Sequence, residues 1–446
     1  MGRFSICLTL LLLLFVNTIP VSAEIKPKKI VMKNGLTVLL IERHSLPIVS
    51  IVALVKAGSI NDPQDKAGLA NLTASLLDEG TESRSSAQIS EEIDFIGASL
   101  DLSAGRDFTT AHTKVLTKDT EKGFDLLSDI LLHPLFNPQE IERVRNLILG
   151  SIHAEKDDPM VIAGRSFNRL IFGDHPYRNP VNGTADTVKM LRREEMISFY
   201  QGHYAPSNTL LAIVGDVTEH VAIGLVDRYF AKWANPTLTA RGPLSPVPSG
   251  FQSKKIDLID KATVQSSVLI GHLGIDRKNP DFFPVMVMNY ILGEGGFASR
   301  LMKEIRDNQG LVYSVYSSFG VYRYPGAFTI SLQTQTGNTN KAIAAVRGEV
   351  ERMRAEGATD AELIEAKAYL SGSFPLRLET TDRLATLLAT IGFYGLGLDY
   401  FTDYPKQIEK VTREDVLRVA KKYLHPDQFT LVVVGNLAEA KIPSPH

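Results

Sequence analysis

Asn71, Ala74 and Ser75 stand at i, i+3 and i+4 in the stretch "AGLANLTASLLDEGT". At that interval one face of a helix presents two metal ligands with a general base beside them. The residue types do not suit the task. Zinc sites are built from imidazole, thiolate and carboxylate, and an amide, a methyl and a hydroxyl do not hold the ion against water. The ten histidines are scattered, with no pair three to five residues apart. His153 and Glu155, two apart on an expected helix, diverge by roughly 200° and read as surface groups. The single cysteine, Cys7, sits in the N-terminal apolar run, so thiol chemistry has no residue to work with. The glycine-rich "GEGGFASR" (Gly293 to Arg300) lacks the Gly-Lys-Ser/Thr ending of a phosphate loop and reads as a turn between two helices. No metal site is expected on this chain.

The elements that position these residues follow from apolar periodicity. Leu69, Leu72, Leu76 and Leu77 mark one buried face of a helix over 67–78, with Gly80 placed to end it. "LTVLLIER" and "IVSIVALVKAG" read as strands, "AQISEEIDFIGA" as a helix and "SLDLSAGRDFTTAHTKVL" as a hairpin, followed by helices over 118–133 and 137–157. After the Pro- and Gly-rich "ANPTLTARGPLSPVPSG" (234–250), an exposed linker, the pattern resumes. "VQSSVLIGHLG" reads as a strand, "PDFFPVMVMNYILG" as a helix and "GLVYSVYSSFGVYRYPGAFTISLQTQ" as a strand pair.

The two sides of the linker repeat each other. "RREEMISFYQGHYAPSNTLLAIVGDV" lies over "TREDVLRVAKKYLHPDQFTLVVVGNL", aligning Arg193 with Arg413, Pro206 with Pro426 and Gly215 with Gly435. In each copy a helix leads through a proline turn into a buried strand ending at glycine. Duplication accounts for this, and sequential strands joined by short turns point to an α+β fold with largely antiparallel sheets.

Residues 1–23 read as a cleaved signal peptide: Arg3, the apolar "LTLLLLLFV" and the small-residue "VSA" before Glu24. The apolar run is too short to span a bilayer, so no transmembrane segment is expected in the mature chain. The expected organisation is then an N-terminal domain over 24–233, the linker, and a C-terminal domain over 251–446. A net charge of −2 without runs of like charge excludes a nucleic-acid footprint. An exported chain of this size with no cysteine after the leader fits the periplasm, and the expected localisation is periplasmic or secreted.

The order of elements resembles the pitrilysin/insulinase family, the inverted zincins, in its short two-domain form. The resemblance runs from "NGLTVLLIERHSLPIVSIVALVKAGS" through "KAGLANLTASLLDEGT" and "GGFASRLMKEIRDNQGLVYSVYS" to "GLGLDYFTDYPKQIEKVTREDVLRVAKKYL". It implies a mitochondrial-processing-peptidase-like fold of two homologous domains, each a largely antiparallel sheet packed with helices. In active members the helix after the "KAGLA" segment carries H-x-x-E-H, two zinc-binding histidines and a glutamate that polarises water. This sequence has Asn71, Ala74 and Ser75 at those positions, and Gly150 or Ser151 where the third ligand, a glutamate, is expected. The family also carries an arginine and tyrosine spaced R-x6-Y that face the zinc and support the developing oxyanion; Arg306 and Tyr313 match it. Tyr316 reads as core or chamber wall. The resemblance therefore implies a non-catalytic, peptide-binding subunit without a cofactor of its own. It would supply Arg306 and Tyr313 to a homologous H-x-x-E-H partner that holds the zinc, with a peptide or unfolded protein as substrate. The other reading is an inert scaffold or peptide-binding protein.

Overall fold

The computed structural model describes residues 25–234, 244–248 and 254–442. The expected signal peptide and most of the expected linker lie outside the described residues. Two sheets packed with helices make an α+β architecture. The first contains β1 (Lys28–Val31), β2 (Thr37–Glu42), β3 (Ile48–Val55), β4 (Ser99–Ala104), β5 (Thr109–Leu116) and β6 (Thr209–Gly215) in the order β1-β2-β6-β3-β5-β4. The second contains β7 (Ile256–Asp260), β8 (Gln265–Leu273), β9 (Val312–Val321), β10 (Pro325–Gln335) and β11 (Thr430–Gly435) in the order β7-β11-β8-β10-β9. Setting β1 aside, the orders are identical. Each sheet has one parallel pair, β2 with β6 and β7 with β11, and is otherwise antiparallel.

The internal repeat is visible in atomic detail. Helices Arg193–His203 and Arg413–Tyr423 each lead through a short 3-10 turn, Pro206–Asn208 or Pro426–Gln428, into β6 or β11. The aligned arginines even make the same bond: Arg193 Nε donates to the Phe136 carbonyl and Arg413 Nε to the Ala358 carbonyl, both at 2.8 Å.

Strands such as "TVLLIE" and "TLLAIVG" are apolar at almost every position because both faces of each sheet are covered. On the first sheet Val38, Leu40, Ile51, Leu211 and Ile213 point into the core of that half. Their neighbours Leu39, Ile41, Val52, Leu54 and Leu210 point the other way, onto helix Thr381–Tyr394 from the second half. The second sheet is treated reciprocally: Leu269, Val432 and Val434 pack on Ala163, Phe167 and Ile171 of helix Pro159–Phe172 from the first half. Each half thus lends one helix to the other's sheet. The fit is close, since a Cβ at Gly392 would fall 2.4 Å from Leu210 Cδ1.

The helix expected over 67–78 is shorter. Its α-helical part is Leu69–Ala74, with Gly68 before it at φ 97°. Beyond Ala74 the amides of Leu76, Leu77 and Glu79 reach back three residues at 3.3 Å, to Thr73, Ala74 and Leu76. The chain therefore continues in tight turns and does not run as an α-helix to Gly80. The leucine stripe is nevertheless buried, with Leu69, Leu72, Leu76 and Leu77 all in the first core.

Candidate functional site

The start of helix Leu69–Ala74 is fixed by a buried carboxylate. Asp62 Oδ2 accepts from the Gly68 amide and Oδ1 from the Ala70 amide, both at 2.8 Å. Burial pushes its pKa up to about 8, against the backbone hydrogen bonds, which favour the anion. At the other end Ser75 caps the helix and donates its amide to the Asn71 carbonyl at 2.9 Å. Asn71 and Ser75 are thus one turn apart and both half-buried, whereas Ala74 is fully buried beneath them. Gly150 and Ser151 lie on the exposed side of helix Pro138–Glu155, where a Cβ at Gly150 would meet nothing within 4 Å. His153 is exposed, while Glu155 pairs with Arg165 at 2.6 Å.

The second half builds a different surface. Arg306 and Tyr313 are brought together, each on an irregular element. Arg306 lies on the π-helical stretch Met302–Asn308, a wider winding than the α-helix that recurs at functional positions. Tyr313 lies on β9, the edge strand of its sheet. Between the pairs Val312–Thr334 and Val315–Leu332, two residues of β9, Tyr313 and Ser314, oppose only Gln333 of β10. This β-bulge lets Val312 and Val315, three residues apart, both point into the core, and leaves Tyr313 and Ser314 both outside. Tyr313 is 84% exposed, and Tyr316 is also exposed rather than core.

The Arg306 guanidinium sits 5.8 Å from the centroid of the Tyr313 ring and 4.9 Å from that of Phe297, with Asp307 Oδ1 2.9 Å from Nη1. The cation is thus held by two aromatic faces. Phe297 escaped the sequence reading. Its signal was position: a large apolar residue between Gly296 and Ala298, outside any periodic pattern, and 68% exposed.

The glycine-rich stretch is a packing device. A Cβ at Gly293 would lie 2.5 Å from Ser317 Oγ and 2.7 Å from Leu301 Cδ1, so only glycine lets this turn approach β9. Asn289 ties the two together: its Oδ1 accepts from Ser317 Oγ at 2.7 Å and its Nδ2 donates to Glu294 at 2.8 Å. Arg300, buried, makes a two-pronged bond to Glu362, 2.7 Å for each prong, and a third to the Gly357 carbonyl. Burial alone would raise the Glu362 pKa, yet the Arg300 bonds and the Thr359 amide hold it at about 2.

Comparison with known proteins shows the family. Residues 37–185 match the family described as insulinase (peptidase family M16), and residues 191–370 match the family described as the peptidase M16 inactive domain. The chain belongs to the pitrilysin/insulinase family. An uncharacterized zinc protease of Streptomyces coelicolor is 29% identical over 87% of this chain and 85% of its own. One from Mycobacterium leprae is 28% identical over 92% and 91%. The crystal structure of a peptidase M16 inactive domain from Pseudomonas fluorescens superposes with a TM-score of 0.86 at 28% identity, covering 92% of this chain and 98% of that one.

Zinc, which this family implies, does not fit the donor set around helix Leu69–Ala74. Asn71 and Ser75 offer an amide and a hydroxyl, and Ala74 offers nothing. Among the described residues no group of three or more His, Cys, Asp or Glu side chains could hold a metal ion. Arg306 and Tyr313 set a half-buried cation against an exposed phenol, groups of the kind that stabilise negative charge on a carbonyl oxygen.

Proposed function

We propose that this chain is the non-catalytic, substrate-binding subunit of a heterodimeric zinc endopeptidase of the periplasm or cell exterior. The observation that carries this reading is the contrast just described. The helix that bears H-x-x-E-H in active relatives has no ligand here, whereas Arg306, half-buried on its π-helical stretch, stands against the exposed Tyr313 of a bulged edge strand. General decay would not preserve one side of the site in a pose suited to its chemistry. In this reading Asn71, Ala74, Ser75 and Ser151 occupy vacated zinc-site positions, and a homologous H-x-x-E-H subunit holds the metal. Arg306 and Tyr313 would donate hydrogen bonds to the scissile carbonyl oxygen as it gains charge. An extended peptide would add as a strand to a sheet edge, its backbone bonds giving broad specificity. Export rests on residues 1–23.

The test is peptide hydrolysis by this chain, by an H-x-x-E-H partner, and by the two mixed. Activity should appear only in the mixture and fall at least tenfold with Arg306→Ala or Tyr313→Phe, a threshold below the roughly 100-fold typical of a lost oxyanion donor. A mixture no more active than the partner alone, and indifferent to both substitutions, overturns the shared site and leaves a peptide-binding scaffold.

A further inference from the structure

Where the two halves meet, a cavity of about 370 Å³ collects four cations from three separate segments: Lys56, Arg277 with Lys278, and Arg323. Lys56 directly follows β3 of the first half. Arg277 and Lys278 follow β8, and Arg323 lies in the turn between β9 and β10. The remaining walls are aromatic, formed by Tyr322 and by Phe393 and Tyr394 at the end of helix Thr381–Tyr394. Among the described residues no carboxylate lines the cavity.

Asp107, the buried carboxylate of this junction, is already committed. Its Oδ1 accepts from the Tyr177 hydroxyl, and its Oδ2 accepts from the Arg323 backbone amide at 2.8 Å and the Tyr394 hydroxyl at 3.2 Å. Arg277 is held in one pose, its guanidinium 3.8 Å from the Phe282 ring centroid and bonded to the Tyr400 hydroxyl at 2.9 Å. Burial, then Lys29 and Arg323, push the Lys56 ammonium below its ordinary range.

Like charges gathered in a partly buried concavity repel one another unless an anion joins them. The guanidinium fork matches phosphate and carboxylate, and aromatic walls suit the flat face of a ring. The volume is that of a small molecule rather than a folded segment. We infer that this junction cavity is a binding site for a small organic polyanion, two or more phosphate or carboxylate groups carried beside a ring. Such a ligand touches Lys56 of one half and Arg323 of the other, and so braces the two halves against each other. This inference is independent of the shared peptidase site.

The test is calorimetric titration and thermal unfolding of the full chain at low salt, with pyrophosphate, citrate and adenosine diphosphate as probes. Saturable binding and a raised Tm are expected, with the nucleotide at least tenfold tighter than pyrophosphate through its ring. Lys278→Ala/Arg323→Ala, both exposed positions, should weaken binding at least tenfold, and Lys118→Ala, a surface cation away from the cavity, should leave it unchanged. Saturation by pyrophosphate but not citrate marks phosphate as the recognised group, and the converse marks carboxylate. Absence of saturable binding by all three probes, or equal binding to the wild type and the double variant, overturns the site.

Discussion

The two edge hairpins occupy the same place in a duplicated fold and have diverged in opposite directions. β4 pairs with β5 without interruption from Ser99–Lys114 to Ala104–Thr109. β9 pairs with β10 through two register shifts. The regular hairpin follows ordinary alternation. In the irregular one, a bulge pushes Tyr313 and Ser314 outward together, and a π-helical turn brings Arg306 against the exposed tyrosine. Duplication supplied one frame twice, and a one-residue irregularity gave one copy a chemical surface the other lacks. Such irregularities need anchoring, and the second half anchors this one with Arg300–Glu362, Asn289–Ser317 and the contact at Gly293.

Breaking the strongest anchor should have the largest effect. Glu362→Gln leaves Arg300 buried without its counter-charge and is expected to cost about 3–5 kcal/mol, measured by urea unfolding. Gly293→Ala drives a methyl into Ser317 and Leu301 and should cost about 1–3 kcal/mol by overpacking. A glycine of the first half that touches nothing sharpens the contrast. Gly150→Ala lies in a helix interior with open space around it, so it should stabilise by about 0.5–1 kcal/mol. Arg306→Ala loses the contacts with the Phe297 and Tyr313 rings and a surface ion pair with Asp307, and should change stability by less than about 1 kcal/mol. A much larger loss would mean that Arg306 is a structural brace rather than a chemical group.

Acid and base should also separate the two halves. Glu362 is held at about 2, below its ordinary 4.5. Its contribution to stability is therefore complete above about 4.5 and is lost as pH falls through 2. Asp62 is raised to about 8 from 3.8. The folded state keeps a proton that the unfolded chain has released, so its contribution is complete below about 3.8 and declines as pH rises through 8. Unfolding free energies followed from pH 3 to 9 should show both limbs. Asp62→Asn should flatten the upper limb and leave the acid limb in place; an upper limb unchanged in this variant would mean that Asp62 titrates normally.

Much of this was legible in the amino-acid order. The repeat from Arg193 and Arg413 onward, the hairpins and the leucine stripe rest on short-range periodicity, and they stand in the structure. The early end of helix Leu69–Ala74 was not legible, because the leucine spacing continues through tight turns that bury the same face. Phe297 was missed because its only mark was an absence of pattern. The bulge at Tyr313–Ser314 was invisible because its cause is the pairing partner: Gln333 opposes two residues, and nothing within β9 records that.

By itself the sequence determined the strands other than the edge strands β1 and β7, the duplication, and which chemical groups the chain carries and lacks. Those depend on residue type and on neighbours a few positions away. Tertiary structure alone decided that helices Pro159–Phe172 and Thr381–Tyr394 each cover the other half's sheet, that Arg306 lies against Tyr313 and Phe297, and that Lys56, Arg277, Lys278 and Arg323 converge on one cavity. The physical reason is that burying both faces of two sheets is a global requirement. Its solution brings together residues up to hundreds of positions apart, at distances that local periodicity does not encode.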